Sequence, residues 1–224
     1  MHHIHSFVLR NRKLNQKKQE IFKKLWPYFG LNFVNNPISI KEIFHNTYPV
    51  ILEIGFGSGK LLIQTAKKNT KKNILGIEVY KKGIFSCFIQ AEKENIKNLK
   101  IIYYDAISVL KLMIPNNSLS VIQIFFPDPW HKRKHHKRRM IKKIFLEILL
   151  KKLRNKGIIH IMTDCSSYAN HIINNISLIN DQKSYFPFLN NYIKLISNQL
   201  ISKFESRAIN KKNSIFQFFV QKNM

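Results

Sequence analysis

Cysteine is nearly absent from this 224-residue chain: Cys87 and Cys165 are the two present, with no CxxC or Cys/His spacing around them. That excludes a disulfide framework and a structural zinc site, so no metal is expected, and it fits a reducing, cytoplasmic compartment. Long apolar runs are missing as well, since no stretch reaches the roughly 18 residues of a membrane-spanning helix. Met1-His2-His3-Ile4-His5 lacks the apolar core of a signal peptide, and its histidines, broken by Ile4, make neither a metal tract nor a tag. Acidic residues are scarce, 12 against 38 basic ones, which leaves a net charge of +26. Such an excess excludes few partners but favours a polyanion, with nucleic acid first. Lysine outnumbers arginine 31 to 7, a bias that A/T-rich coding also produces, so the clustering of charge carries more weight than its total.

What is present is enough apolar sequence, 45%, to build a core, and a length that suits one large α/β domain. Residues 1–48 show no strand-turn rhythm and read as an N-terminal extension. Asn15 to Phe29 has helical spacing at Ile21, Leu25 and Tyr28, with Pro27 marking where that helix distorts or ends. From residue 49 onward, short apolar runs alternate with helical segments, the pattern of a mostly parallel sheet covered by helices on both faces. Strands are expected at Val50–Ile54, Asn73–Val79, Lys100–Tyr104, Leu119–Phe126 and Gly157–Met162, with helices between them, one of them running from Arg139 to Leu153. Tyr192–Ile196 and Ile215–Val220 are expected to form an antiparallel pair closing the sheet. In open α/β sheets, ligands bind outside the carboxyl ends of the strands. Glu78, Asp105, Asp128 and Asp164 all fall at such ends, so one crevice could collect four carboxylates.

Leu52-Glu53-Ile54-Gly55-Phe56-Gly57-Ser58-Gly59-Lys60 follows a strand and opens a helix. Glycines let such a turn bend sharply and approach a ligand. Lys60 is followed by Leu61, which is wrong for a Walker A loop, and the GxGxG spacing is wrong for a dinucleotide fingerprint. With Glu53 two residues ahead of the first glycine, the segment resembles motif I of class I methyltransferases. Glu78, ending the next strand, can accept the two ribose hydroxyls of an adenosine group. Asp105-Ala106 resembles the methyltransferase position that contacts the adenine amino group, and Glu53 would help to hold the methionine end.

Phe125-Phe126-Pro127-Asp128-Pro129-Trp130-His131-Lys132 is the most specific stretch of the chain. Two prolines fix φ on either side of Asp128 and so stiffen a loop that must orient a substrate. Of the eight residues from Lys132 to Arg139, six are cationic, and Lys142 and Lys143 extend the run. Charge runs are often solvated faces, but this one lies inside the domain, beside Asp128. Its phosphate contacts would position a polyanion rather than read its sequence.

Together with Gly76-Ile77-Glu78-Val79, Thr163-Asp164 and Ser202-Lys203-Phe204-Glu205-Ser206-Arg207, these motifs resemble bacterial tRNA (guanine-N7)-methyltransferases. The resemblance runs from about Ser6 to near the C-terminus. It implies a Rossmann-like fold, S-adenosyl-L-methionine as methyl donor, and tRNA as partner, with the methyl delivered to N7 of the variable-loop guanine at position 46. It implies cofactor contacts at Glu53, Gly55, Gly57, Glu78, Asp105 and Asp128, with Asp128 also the catalytic residue. Substrate contacts are implied at Lys132, Asp164, Ser202, Lys203, Phe204 and Glu205, and RNA contacts at Lys134, His135, His136, Lys137, Arg138 and Arg139. The protein would act as a monomer or homodimer, away from any membrane.

Three positions depart from the family's pattern: Cys165 stands where Trp is usual, Ser202 where Thr is usual, and Leu9 where Arg is frequent. Two other readings of the same residues stay open. A small-molecule or protein methyltransferase would use the same glycine loop, though the basic run beside the presumed site does not favour it. A non-catalytic RNA-binding module would carry the fold as a relic, against the intact set of Glu53, Glu78, Asp105 and Asp128.

Overall fold

The computed structural model describes residues 13–180, 187–188 and 215–222. Eight strands form one sheet: β1 (Gly30–Leu31), β2 (Val50–Ile54), β3 (Asn73–Glu78), β4 (Leu99–Tyr103), β5 (Leu119–Phe125), β6 (Leu153–Thr163), β7 (Pro187–Phe188) and β8 (Phe216–Gln221). Their order is β1-β4-β3-β2-β5-β6-β8-β7. Pairing is parallel from β1 to β6 and antiparallel where β8 joins β6 and β7. The expected mostly parallel sheet with an antiparallel C-terminal pair is therefore present, and β8 is the expected last strand. Its other expected partner, Tyr192–Ile196, lies outside the described residues.

β2 and β3 are buried along their whole length, as strands covered on both faces must be. Alternate residues face opposite layers. Ile51, Ile74 and Ile101 pack with α1 (Gln16–Phe29), α3 (Lys60–Lys68) and α4 (Lys81–Lys93). Leu52, Leu75 and Ile102 pack with α6 (Lys143–Lys152), α7 (Ser166–Asn180) and the stretch from α5 (Ala106–Ser108) into a π-helical turn at Val109–Met113. From β2 the chain winds outward through β3 and β4, then crosses back to β5 on the other side. The switch point lies between β2 and β5, where a ligand crevice opens in such sheets.

The N-terminal segment is tied to this body. Phe22, Trp26 and Phe29 of α1 meet the ring of Phe88 on α4 at centroid distances of 5.2, 5.9 and 5.7 Å, each such pair worth about 0.5–1.5 kcal/mol beyond the area it buries. Asn15 caps α1 by accepting from Lys18 N, a role its short side-chain oxygen suits. The helix runs two residues past Pro27 and stops at Gly30, so the hydrogen bond that Pro27 cannot make falls in its last turn. β1 then adds to the edge of β4; two residues are too few to show an alternation in sequence. α2 (Ile40–Phe44), capped by Ser39, is a helix of five residues. Among the described residues no helix is long and apolar enough to cross a membrane.

Candidate active site

The turn after β2 continues the ladder for one residue, with Gly55 N donating to Ile77 O at 2.8 Å. Gly55 and Gly57 then take φ values of 72° and 59°, the left-handed region that side chains disfavour. A Cβ built on either would have no heavy atom within 4 Å, so the turn presents a bare edge of backbone there. Glu78 holds that turn in place from the end of β3. Its Oε2 accepts from Gly57 N at 2.7 Å, and its Oε1 accepts from Val79 N and Tyr80 N at 2.7 and 2.9 Å. Burial pushes the Glu78 carboxyl above the ordinary carboxylate range; those three donors hold it down, and the charge of Asp128 pushes it up again.

Glu53 lies beneath, on β2, only 3% exposed. Burial, reinforced by Glu78, pushes its carboxyl up to about 8. Its Oε2 is buried with no hydrogen-bond partner, an expensive state for a carboxylate unless a ligand completes it.

The turn is closed from the far side by Gly83 in the first turn of α4, where a Cβ would come within 2.1 Å of Gly57 O. That atom is backbone, so Gly83→Ala must push α4 and the glycine turn apart. The expected result is a stability loss of about 1–3 kcal/mol and at least tenfold weaker S-adenosylmethionine binding by calorimetry; unchanged affinity would show that the packing is not needed.

Asp128 stands at the carboxyl end of β5, next to β2 across the switch point. Phe126 and Trp130 flank it with φ values of 51° and 49°. For bulky residues this is strained backbone, costing about 1–3 kcal/mol each, and it persists only where the surroundings enforce it. Phe126 is held by its amide donating to Met162 O at 2.8 Å. The second half of the loop is held by Arg139, whose Nε donates to Pro129 O at 2.8 Å while its other nitrogens donate to Ser167 O and Ser167 Oγ, both at 3.2 Å. The guanidinium also lies 5.0 Å from the Tyr168 ring centroid. Asp128 itself is exposed, and its charge is felt by both Glu78 and Tyr168.

The basic run is folded. Arg133–Arg138 forms a 3-10 helix laid back on Trp130. The Arg138 guanidinium sits 4.9 Å over the indole, and His135 meets it edge-on at 5.8 Å. Lys132, Arg133, Lys134 and Lys137 are exposed, and Arg138 is half-buried. His135 is half-buried, and its pKa is lowered by loss of solvation and by the surrounding cations.

Arg139 departs from its expected role as an RNA contact. At 3% exposed, with its donors turned inward, it braces the Asp128 loop and cannot reach a phosphate. α6 begins at Lys143 rather than Arg139, because Arg139 and Lys142 take non-helical ψ values of 130° and 159° with a bend at Met140 between them. His136 is also drawn in, half-buried with Nε2 shielded from solvent.

Of the remaining expected residues, Asp105 caps α5, its Oδ2 accepting from Ser108 N and Ser108 Oγ at 2.9 and 3.0 Å. Asp164 is half-buried at the end of β6. Ser202, Lys203, Phe204 and Glu205 lie outside the described residues. The structure adds residues that sequence reasoning passed over. Tyr168 Oη accepts from Ile141 N at 3.2 Å, His171 Nε2 meets Ile141 O at 2.8 Å, and Asn175 Oδ1 accepts from Lys143 N at 2.8 Å. These α7 side chains and Ser167 anchor the segment that carries the basic turn. Their spacing along one helix face was the available signal, but such spacing reads equally as core.

Residues 47–218 match the sequence model of a family described as putative methyltransferase. A protein of Buchnera aphidicola subsp. Acyrthosiphon pisum (strain 5A) named tRNA (guanine-N(7)-)-methyltransferase is 47% identical over 97% of this chain and 91% of its own length. One of the same name from Salmonella typhimurium is 40% identical over 92% of this chain and 85% of its own. The chain belongs to the tRNA (guanine-N7)-methyltransferase family.

The fold agrees: an rRNA methylase from Streptococcus thermophilus superposes with a TM-score of 0.53 at 12% identity, covering 86% of this chain and 99% of that one. Against that family pattern, Cys165 in place of Trp is half-buried, with Sγ 3.4 Å from Ser167 Oγ and 3.9 Å from His131 Nδ1. A small side chain therefore occupies the corner between the Asp128 loop and α7.

The methyl donor of such enzymes is a sulfonium with an α-ammonium group, and the residues present fit it. The bare glycine edge leaves room for a backbone-close ligand, and the unpartnered Glu53 oxygen offers a buried acceptor to an ammonium group.

Proposed function

We propose that this chain methylates N7 of the variable-loop guanine at position 46 of tRNA, using S-adenosyl-L-methionine. The observation that carries the reading is Asp128, held by strained and braced backbone across the switch point from the glycine turn, with an exposed basic 3-10 turn beside it. Glu53, Gly55, Gly57, Glu78 and Asp105 hold the cofactor, which when bound supplies an electrophilic methyl group. Asp128 helps to orient it.

Guanine N7 keeps a free lone pair at neutral pH, so no proton need leave the attacking atom, and positioning supplies most of the acceleration. Asp128 and Asp164 accept hydrogen bonds from guanine N1–H and from the 2-amino group. Their charge raises electron density on the ring and stabilises the cationic product. The same two acceptors reject adenine, which presents no matching donors. Lys132 and the Ser202 to Glu205 segment contact the substrate, while Lys134, Lys137 and Arg138 bind phosphates.

The test is to incubate the protein with tRNA and methyl-labelled S-adenosylmethionine and to map the label. Label on a variable-loop guanine N7 is the expected result; label on another atom or another molecule overturns the reading.

A further inference from the structure

We propose that the groove between the start of α1 and the outer face of α4 is a second docking surface for the RNA backbone, distinct from the basic turn after β5. The inference rests on the tRNA reading above and adds a surface that reading does not use.

The groove encloses about 670 Å³. Lys13 and Lys18 stand on one wall, Lys82 and Lys93 on the other, with Phe85 and Ile89 between them as an apolar floor. Four of its ten lining residues are lysines and none is acidic.

The Lys67–Glu94 ion pair includes none of these four lysines, and only Lys93 has the charge of Glu94 close by. Lys18 instead sits 6.0 Å over the ring of Phe85, an arrangement that holds an ammonium without cancelling its charge. Such lysines are point charges suited to phosphate oxygens.

Their arrangement is linear. Lys82 and Lys93 lie on one stripe of α4, about 16 Å apart along the axis at 1.5 Å per residue. A single phosphate would need donors converging on a point, whereas a line of separated charges fits successive phosphates of a polymer. The line also ends in the right place. Lys82 adjoins Gly83, which packs on the glycine turn, so the groove opens at the rim of the candidate active site. β3, from which α4 springs, and β5, which carries the basic turn, flank β2, roughly 10 Å apart at sheet spacing. An RNA whose target base enters at the carboxyl edge can therefore touch the basic turn there and meet the groove at Lys82, its backbone then running along α4 toward Lys93.

The experiment compares the full-length wild type with the triple variant Lys18→Gln, Lys82→Gln, Lys93→Gln. Whole tRNA and a short hairpin carrying only the target loop serve as probes. For whole tRNA, the slope of log K against log salt should flatten by about 2 to 3, roughly 0.7–0.9 for each phosphate that is no longer neutralised. KM for tRNA should rise on the order of tenfold near physiological salt, with kcat at saturating tRNA unchanged. Hairpin affinity and calorimetric S-adenosylmethionine affinity should match the wild type, which also reports an intact fold. An unchanged salt slope and KM for whole tRNA overturns the proposal, as does an equal loss on the hairpin. A wild-type protein that leaves tRNA unmethylated overturns instead the enzyme reading beneath it.

Discussion

Asp128→Asn is expected to lower kcat for tRNA on the order of 10²-fold, the loss typical of removing one electrostatic contact to the reacting group. The substitution keeps the shape of the side chain and its place between Pro127 and Pro129. It removes the negative charge and puts an amide N–H₂ where guanine presents its own N–H donors. Both changes act where charge develops on the ring, so the loss should appear in single-turnover methyl transfer as well as in steady state. Cofactor affinity should change less, because Glu53, Glu78 and the glycine turn remain. Preference for guanine over adenine should narrow in the same variant. Full turnover with unchanged cofactor binding would remove Asp128 from the chemistry.

Arg139→Ala should be the most destabilising single change in the basic run. It deletes three hydrogen bonds and a ring contact, and it leaves the Pro129 carbonyl without its donor. Orphaned acceptors of this kind cost about 1–3 kcal/mol each. A total near 3 kcal/mol corresponds to a fall in Tm of about 10 °C for a chain of this size. Turnover should fall at least tenfold as well, even well below the new Tm, since a loosened loop misplaces Asp128. Lys137→Ala, at an exposed position of the same run, should leave Tm unchanged and weaken tRNA binding alone. If both variants melted like the wild type, the bracing role of Arg139 would be wrong.

These two residues mark the boundary between what is legible in a linear sequence and what is not. Asp128 was legible because its signal is local: two prolines, an aromatic residue and a strand end within a few positions constrain the same backbone that carries the carboxylate. The glycine turn was legible for the same reason, and so were β2 and α3, whose bounds follow from apolar runs and from the turn between them.

Arg139 was not legible. Its charge and its neighbours are those of a phosphate-binding residue, and only the approach of α7, 28 residues further on, turns it inward to Ser167. The groove lysines are a similar case, since Lys18 and Lys82 are ordinary surface lysines until α1 packs on α4. Glu53 shows the reverse: its position was marked in the sequence, but its missing partner and raised pKa come from burial against Glu78 on the neighbouring strand.

By itself the sequence determined the strand order of chemistry, namely which carboxylates end which strands and where the backbone must turn, because these are effects of covalent geometry and short-range pattern. Only the tertiary structure decided which charges face water and which are consumed as braces, because solvation and long-range hydrogen bonding depend on what packs alongside.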